Sequence, residues 1–550
     1  MVKNKSICLL FCGLVLTIAI LCCGDLYKYI GYFLYSFLGA FLFFLFVANC
    51  KIISSIVMFI YFLVIGVQVA SLWNTREFVT SLILENLDSV TSIEKDILYS
   101  SIVICLCYVI LFLIFSFIPV VYKSFQCKKK ILLFCFFGYC FAGIIFKVDI
   151  NRLPFISFFN SCYGFMLQLS YTPDEKMVFK QKELYGKNWV YQNRDEENVP
   201  NLSGKNIITL FTEGFSLKVI DKFNSYPNLT PNISSLMDRS LWFNNYYNHT
   251  ATTYRGIRGS LSSSYQLNGV SHYENIEGSL LTRNTDDKVI NIVSILRGNG
   301  YHTYFLSAHR EGDVFNNYIR SMGFDRVYTA GDFKNNNEYL TDYELFQSLK
   351  RIISSGELKE PYFIAVYNLG THYGEKSPYW LYLKNGEEVN ELVNIMHNYD
   401  IEFGSFINWF DSDENVKKDT YIILTSDHMT FPDEKYINTF AEQKRPLNCV
   451  TGRIPFILYG KGIEHKIINA NGKNSLDFAP TLLNWLRIND AYNYFLGCSL
   501  YDDKCKYPFE YIYAMSNFFY YNDCKPIIAK GISSKIINDI NDFYNFSAAL

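Results

Sequence analysis

The feature that most constrains this chain is where its apolar residues lie. Five long apolar runs, roughly residues 6–23, 29–50, 52–72, 97–122 and 131–148, crowd into the first 150 positions. Most reach the ~20 residues that a helix needs to cross the hydrocarbon of a bilayer. Residues 1–150 are therefore expected to form a transmembrane domain of about five helices. Lys3 and Lys5 ahead of the first run resemble a signal-peptide start, but four more runs follow at once and no small-residue cleavage site is evident. The first run is accordingly read as an anchor.

Basic residues in the connections orient this domain. Lys3 and Lys5, Lys51, and Lys123, Lys128, Lys129 and Lys130 occupy alternate connections. The others are balanced or acidic: Asp25 against Lys28, and Glu77, Glu85, Asp88, Glu94 and Asp96 against Arg76 and Lys95. The positive-inside bias places the first set in the cytoplasm, and an odd number of spans then places everything after about residue 150 on the far side. Residues 151–204 lose the apolar runs and read as an interfacial connector, with Phe155, Phe158, Phe159 and Tyr163 suited to the membrane surface, although a merely exposed linker reads as well.

Composition excludes some functions. The net charge of −2 over 550 residues carries no polyanion-binding signature, so nucleic acid is not an expected partner. Ten of the 15 cysteines lie at or before Cys140, where they act as small apolar residues of membrane helices. Cys162, Cys449, Cys498, Cys505 and Cys524 remain; no Cys-x-x-Cys pair among them suggests a thiolate metal site. Cys498 and Cys505 flank a short turn and can pair in an oxidising compartment.

From Asn206 the pattern changes. Short β-type runs at 207–211, 301–307, 362–367, 420–425 and 454–459 alternate with helical stretches at 288–297, 343–354 and 399–410. This alternation predicts an α/β domain over residues 205–550, with a mostly parallel sheet covered on both faces. Functional groups of such sheets gather beyond the C-terminal strand ends. Three of those ends carry metal-type side chains: Glu213 in Thr212-Glu213-Gly214, His372 in Gly370-Thr371-His372-Tyr373, and Asp427-His428 in Thr425-Ser426-Asp427-His428. A carboxylate cluster buried at a sheet end calls for a cation. Singly, each residue also reads as an ordinary surface or structural side chain; it is their shared position that points to a site. Thr252 and Thr253 precede a helix expected from Tyr254 to Tyr265, where a hydroxyl sits beside amide groups that favour phosphate oxygens. On spacing alone, an ordinary N-cap reads as well.

The order of these motifs resembles the alkaline phosphatase superfamily. The motifs are strand–Thr-Glu-Gly, Thr253-Tyr254-Arg255-Gly256, Gly323-Phe324-Asp325, Gly370-Thr371-His372-Tyr373 and Thr425-Ser426-Asp427-His428. More narrowly the chain resembles membrane-embedded lipoteichoic acid synthases, phosphoglycerol transferases and phosphoethanolamine transferases. The resemblance implies that Glu213, Asp427 and His428 bind one divalent metal ion, zinc or manganese before magnesium, together with the oxygen of a nucleophilic threonine. Thr253 fits the family's Thr-x-Arg-Gly form best, with Thr252 second. By the same resemblance His372, His309, Arg255 and Asn317 belong to substrate binding. Departures are visible too. Phe315-Asn316-Asn317-Tyr318 stands where Gram-positive synthases have Phe-Trp-Asn-Arg, which departs from their glycerol-phosphate recognition. Against phosphoethanolamine transferases, Ser260 and Leu261 stand in the neighbourhood of a cysteine and Arg453 in place of a histidine, so one metal rather than two is implied.

The activity so implied moves phosphoethanolamine or phosphoglycerol from a membrane phospholipid donor to an envelope glycan acceptor such as lipopolysaccharide, through a phospho-threonine. The implied location is the bacterial inner membrane, with the catalytic domain periplasmic. Two alternatives stand beside it. One is a sulfatase or phosphodiesterase of the same fold, although no Cys/Ser-x-Pro/Ala-x-Arg segment occurs in the catalytic half; the other is an inactive membrane scaffold.

Overall fold

A computed structural model describes all of the chain except residues 1, 48–50, 76–77, 80–94, 118–128, 146–147, 171–174, 193–197, 252, 265–289, 335–337, 373–374, 443–449, 510–511, 515–516, 523–524, 530 and 550. The chain divides into two compact units, Met1–Tyr171 and Thr172–Leu550. The stretch read as one connector is itself divided: helix Pro154–Ser170 falls in the first unit and helix Glu175–Tyr185 in the second.

In the first unit, helices Val2–Cys23, Ile30–Val47, Lys51–Thr75, Lys95–Phe117 and Lys129–Ile145 lie on the five apolar runs. Among the described residues one stretch, Ser55–Asn74, is long and apolar enough to cross a bilayer by length and composition, with a mean hydropathy of 2.2. Cys8–Cys23 and Leu98–Ile114 are apolar but shorter. Helix length and apolarity thus single out one span where the sequence led us to expect five. The helices pack through aromatic and small polar contacts, including a Tyr35–Tyr139 ring stack at 4.2 Å and a Thr17–Tyr108 hydroxyl contact at 2.6 Å.

The second unit is built on an eight-stranded sheet. In chain order the strands are β1 (Asn206–Thr212), β2 (Leu241–Asn244), β3 (His302–Ser307), β4 (Arg326–Tyr328) and β5 (Tyr362–Tyr367). A small hairpin follows, β6 (Leu383–Lys384) with β7 (Glu387–Glu388), and then β8 (Thr420–Ser426), β9 (Phe456–Gly460) and β10 (Lys466–Asn469). The large sheet has the order β10-β2-β9-β8-β1-β5-β3-β4. All its neighbours pair in parallel except β9, which runs antiparallel to both β2 and β8. The strands β1, β5, β8 and β9 are buried along their whole length, as sheets covered on both faces require. Beyond the main sheet, β11 (Ile512–Ala514), β12 (Asn517–Asn522) and β13 (Lys525–Ile528) form a separate antiparallel sheet. Cys498 and Cys505 form a disulfide with Cα atoms 5.8 Å apart, so the pairing open to them in the sequence is made.

Candidate active site

The site follows from strand register. Parallel pairing of β1 and β8 sets Thr212 beside Ser426, so Glu213 and Asp427-His428 leave the sheet side by side. Thr253 opens the helix Thr253–Ser262 against the same sheet end. Gly256 permits this close approach. A Cβ there would lie 2.1 Å from the Asp427 carbonyl oxygen, so any larger residue would push the first turn of the helix away.

Glu213 is the hub. Its Oε2 accepts a hydrogen bond from Thr253 Oγ1 at 2.7 Å and another from the Tyr367 hydroxyl. Its Oε1 lies 3.4 Å from His428 Nε2, and Asp427 Oδ2 lies 3.4 Å from the same nitrogen. Both carboxylates and the imidazole are almost fully buried. His428 Nδ1 is bound to the Met429 carbonyl at 2.7 Å. A carbonyl only accepts, so Nδ1 carries a proton and Nε2 is the nitrogen turned to the carboxylates. Asp427 divides its labour between its oxygens. Oδ1 accepts from the amides of Gly214 at 2.9 Å and His428 at 2.7 Å, whereas Oδ2 is buried without a hydrogen-bond partner.

This electrostatic arrangement is awkward for protons alone. Burial pushes the Asp427 carboxyl up, and the neighbouring Glu213 charge pushes it further. Burial also works to raise Glu213, but the His428 charge and hydrogen bond, the His372 charge and the Tyr367 hydroxyl outweigh it and hold that carboxyl well below the usual range. Burial works to lower His428, yet the two carboxylates drive it up to about 9. Two carboxylates and one imidazole nitrogen converge on one point, with the Thr253 hydroxyl against one of the carboxylates. Ligand atoms from Glu213, Asp427 and His428 all lie within 4.8 Å of one another. Vertices of a tetrahedron about 2.1 Å from its centre are about 3.4 Å apart, the separation found around His428 Nε2. The orphaned Asp427 Oδ2 and this spacing fit a divalent metal ion.

A second layer fixes the hub. Asn368 Oδ1 accepts from the Glu213 amide at 2.9 Å, and Thr371 Oγ1 donates to the Glu213 carbonyl at 2.7 Å. Asn368 Nδ2 in turn donates to buried Asp342 at 3.0 Å, whose carboxyl burial pushes up to about 6.

The other sequence candidates divide. His372 is half-buried, and its charge acts on Glu213. The ring of His309 stacks on Tyr367 at 5.8 Å between centroids and 14° between planes, one ring away from the cluster, and Nδ1 sits 3.1 Å from Asp313. Arg255 is buried, with its guanidinium 5.4 Å from the Tyr254 ring centre. Asn317 is exposed. Helix Val314–Arg320 buries Phe315, Asn316, Tyr318 and Ile319, leaving Asn317 on the exposed face, where it accepts from Arg320 at 3.1 Å. Thr252 lies outside the described residues. Sequence reasoning missed Tyr367. Its one signal was its place as the last residue of β5, level with the other strand ends.

A metal-type cluster beyond the C-terminal ends of a mostly parallel sheet defines this as a metal-site domain of the α/β class. The family model described as Sulfatase matches residues 205–488, just over half of the chain, and the chain belongs to that family, of the alkaline phosphatase superfamily. The lipoteichoic acid synthase-like YvgJ of Bacillus subtilis is 23% identical over 321 residues, 54% of this chain and 50% of that protein. Phosphoglycerol transferase I of Salmonella typhimurium is 24% identical over 328 residues, 54% of this chain and 39% of that protein. The match spans half or less of the length of these two relatives. Among solved structures, the integral membrane protein lipooligosaccharide phosphoethanolamine transferase A from Neisseria meningitidis covers 88% of this chain and 95% of its own, with a TM-score of 0.53 at 12% identity. A protein in the alkaline phosphatase superfamily from Vibrio parahaemolyticus covers 70% and 97%, with a TM-score of 0.50 at 16% identity. These two likenesses are of fold.

Proposed function

We propose that the chain is a membrane-anchored, metal-dependent phosphotransferase that moves phosphoethanolamine or phosphoglycerol from a phospholipid to an envelope glycan through phospho-Thr253. The observation that carries this reading is the 2.7 Å contact of Thr253 Oγ1 with Glu213 beside Asp427 and His428. Glu213, Asp427, His428 and Thr253 would hold one divalent ion, for which a mixed carboxylate–imidazole set suits zinc or manganese better than magnesium. When bound, that ion lowers the pKa of the hydroxyl and neutralises charge on the phosphoryl oxygens.

The protein's own groups do the rest. Thr253 Oγ1 attacks the donor's phosphorus as its proton passes by way of Glu213 Oε2 to water; the bond from phosphorus to the diacylglycerol oxygen breaks, and that oxygen takes a proton from water. An acceptor hydroxyl then attacks the phospho-threonine and returns the threonine. Tyr367 holds Glu213 Oε2 in place, and the amides of the first helical turn face the phosphoryl oxygens. His372, His309 and Arg255 surround the transferred head group in this reading.

Residues 1–150 form the anchor with five spans, residues 151–204 the connector, and residues 205–550 the extracytoplasmic domain of an inner-membrane protein. Support comes from the surface of the first unit. Phe11, Leu38, Ile52, Val103 and Phe137, one on each of the five helices, are all about half exposed or more. Same-helix neighbours such as Ile53, Ile56, Ile102 and Leu106 are exposed beside them, and soluble monomers rarely expose contiguous apolar surface of this kind. A hydrolase of the same fold is the second reading, favoured by the family match itself; it replaces the glycan with water.

Mass spectrometry of envelope glycans from cells with the wild-type chain or Thr253→Ala tests the proposal. A phosphoethanolamine or phosphoglycerol substituent is expected to vanish in the variant. An unchanged glycan profile would refute the transferase reading and leave the hydrolase.

A further inference from the structure

The first unit contains a groove of about 1020 Å³, at the upper end of ligand-site volumes. It runs between helices Val2–Cys23 and Ile30–Val47. Its floor and walls are apolar, with Phe11 and Leu14 from the first helix and Leu34, Leu38 and Phe41 from the second. Three of these, Phe11, Leu34 and Leu38, are largely exposed. The charged residues of the groove, Lys28 and Asp149, come from the connection after the first helix and the segment after the fifth. In the orientation proposed above, both of those positions are extracytoplasmic.

We propose that this groove takes one acyl chain of an outer-leaflet glycerophospholipid, with the phosphodiester of its head group at Lys28. The inference rests on the membrane reading of the first unit and extends it to the lipid the protein holds.

Length supports this occupant. Gly31 to Phe41 spans ten residues, about 15 Å of helix, which is half the ~30 Å hydrocarbon core and so one leaflet deep. Polarity supports it as well, because apolar lining along the helices and a charged mouth at one end match a lipid's tail and head. The charges at the mouth select the anionic part of the head group. Asp149 Oδ2 is already 3.5 Å from Arg152 Nε, and the Asp149 side chain also accepts from the Asn151 amide. Lys28 makes no ion pair among the described residues; its ammonium lies 4.8 Å from the Tyr29 ring centre. The unneutralised cation is therefore the one that meets a phosphate. Gly31 leaves the groove open beside it, for a Cβ there meets no atom within 4 Å.

The test uses the full chain purified from membranes and reconstituted in nanodiscs, with co-purifying lipid quantified by native mass spectrometry. Phosphatidylethanolamine and phosphatidylglycerol are supplied separately, with diacylglycerol as the probe that lacks phosphate. Retention of either phospholipid over diacylglycerol is expected. Gly31→Phe, which fills open space, should lower retention by more than about tenfold, as filling an apolar pocket does. Lys28→Ala should lower it by about fivefold, the size of one partly exposed charge contact. Thr253→Ala should retain lipid fully, which separates this inference from the phosphotransfer proposal: its failure to form phospho-threonine would leave lipid retention untouched. A phosphatidylethanolamine with a diazirine at the end of one acyl chain provides a second readout without mutation, and crosslinks should map to Val2–Cys23 and Ile30–Val47. Equal retention by Gly31→Phe, equal retention of diacylglycerol, or crosslinks confined to other helices would overturn it.

Discussion

Removing and restoring the metal at different pH values probes the buried cluster most sharply. In the metal-free protein His428 is raised to about 9, and Asp427 is held well above the usual carboxylate range by burial and by Glu213. Near neutrality the cluster therefore carries about two protons that an ion must displace. Proton and metal compete, so affinity rises with pH, by about a hundredfold per pH unit for two protons released. The change between pH 6.5 and 7.5 is the part to measure, by calorimetry of zinc or manganese binding to the chelator-treated full chain in two buffers of different ionisation heat. Metal at a hundredfold excess over its Kd would add about 2.7 kcal/mol of stability. For the catalytic unit this is a rise of roughly 5 °C in melting temperature, taking about 2 °C per kcal/mol for a domain of this size. Glu213→Gln should abolish both effects. An affinity that does not change with pH, or a metal-induced shift that survives Glu213→Gln, would refute the reasoning.

Other outcomes follow from the same contacts. The metal-free protein should lose stability as pH rises from 6.5 through 9, about 3 kcal/mol of it from His428. The raised His428 stabilises the fold fully below its unfolded value and loses that contribution through its folded one, as denaturant titrations would record. Tyr367→Phe removes a donor to an ionised carboxylate and should lower kcat by about tenfold to a hundredfold with KM little changed; an unchanged kcat would remove Tyr367 from the site. Gly256→Ala sets a Cβ against the Asp427 carbonyl and should cost at least about a hundredfold in turnover by displacing Thr253, measured beside a melting curve showing the domain still folded. Reducing the Cys498–Cys505 disulfide, which closes a short loop, should cost about 2–3 kcal/mol, visible as a lower denaturation midpoint in reductant.

The strands that build the site were legible because they are buried on both faces. A run such as Tyr362–Tyr367 is apolar without alternation and ends at turn residues, so its end, and the side chain just beyond it, can be read directly. The edge strand β10 is hard to read because it is four residues long, and its two apolar residues, Ile467 and Ile468, are adjacent rather than alternating or part of a longer apolar run. The helix read as 399–410 runs over Glu391–Ser412, its start set by Asn390, whose side chain accepts from the Val393 amide. That cap was present in the sequence and outweighed by the weaker apolar pattern beside it. The Glu213, Asp427 and His428 cluster was legible through position, but Tyr367 was not, since a tyrosine ending a strand reads as packing until its hydroxyl meets Glu213 in space. The exposure of Asn317 was not legible for the converse reason. Motif order locates a helix, while its rotation decides which of two adjacent asparagines faces inward, and Asn316 is the buried one.

The most direct test of the central claim is peptide mass spectrometry of the full chain incubated with divalent metal and phosphatidylethanolamine or phosphatidylglycerol, without acceptor. A single phosphorylated head group on Thr253 is the expected result, lost in Thr253→Ala and in Glu213→Gln. An adduct on another residue, or head-group release undiminished by Thr253→Ala, would contradict the account.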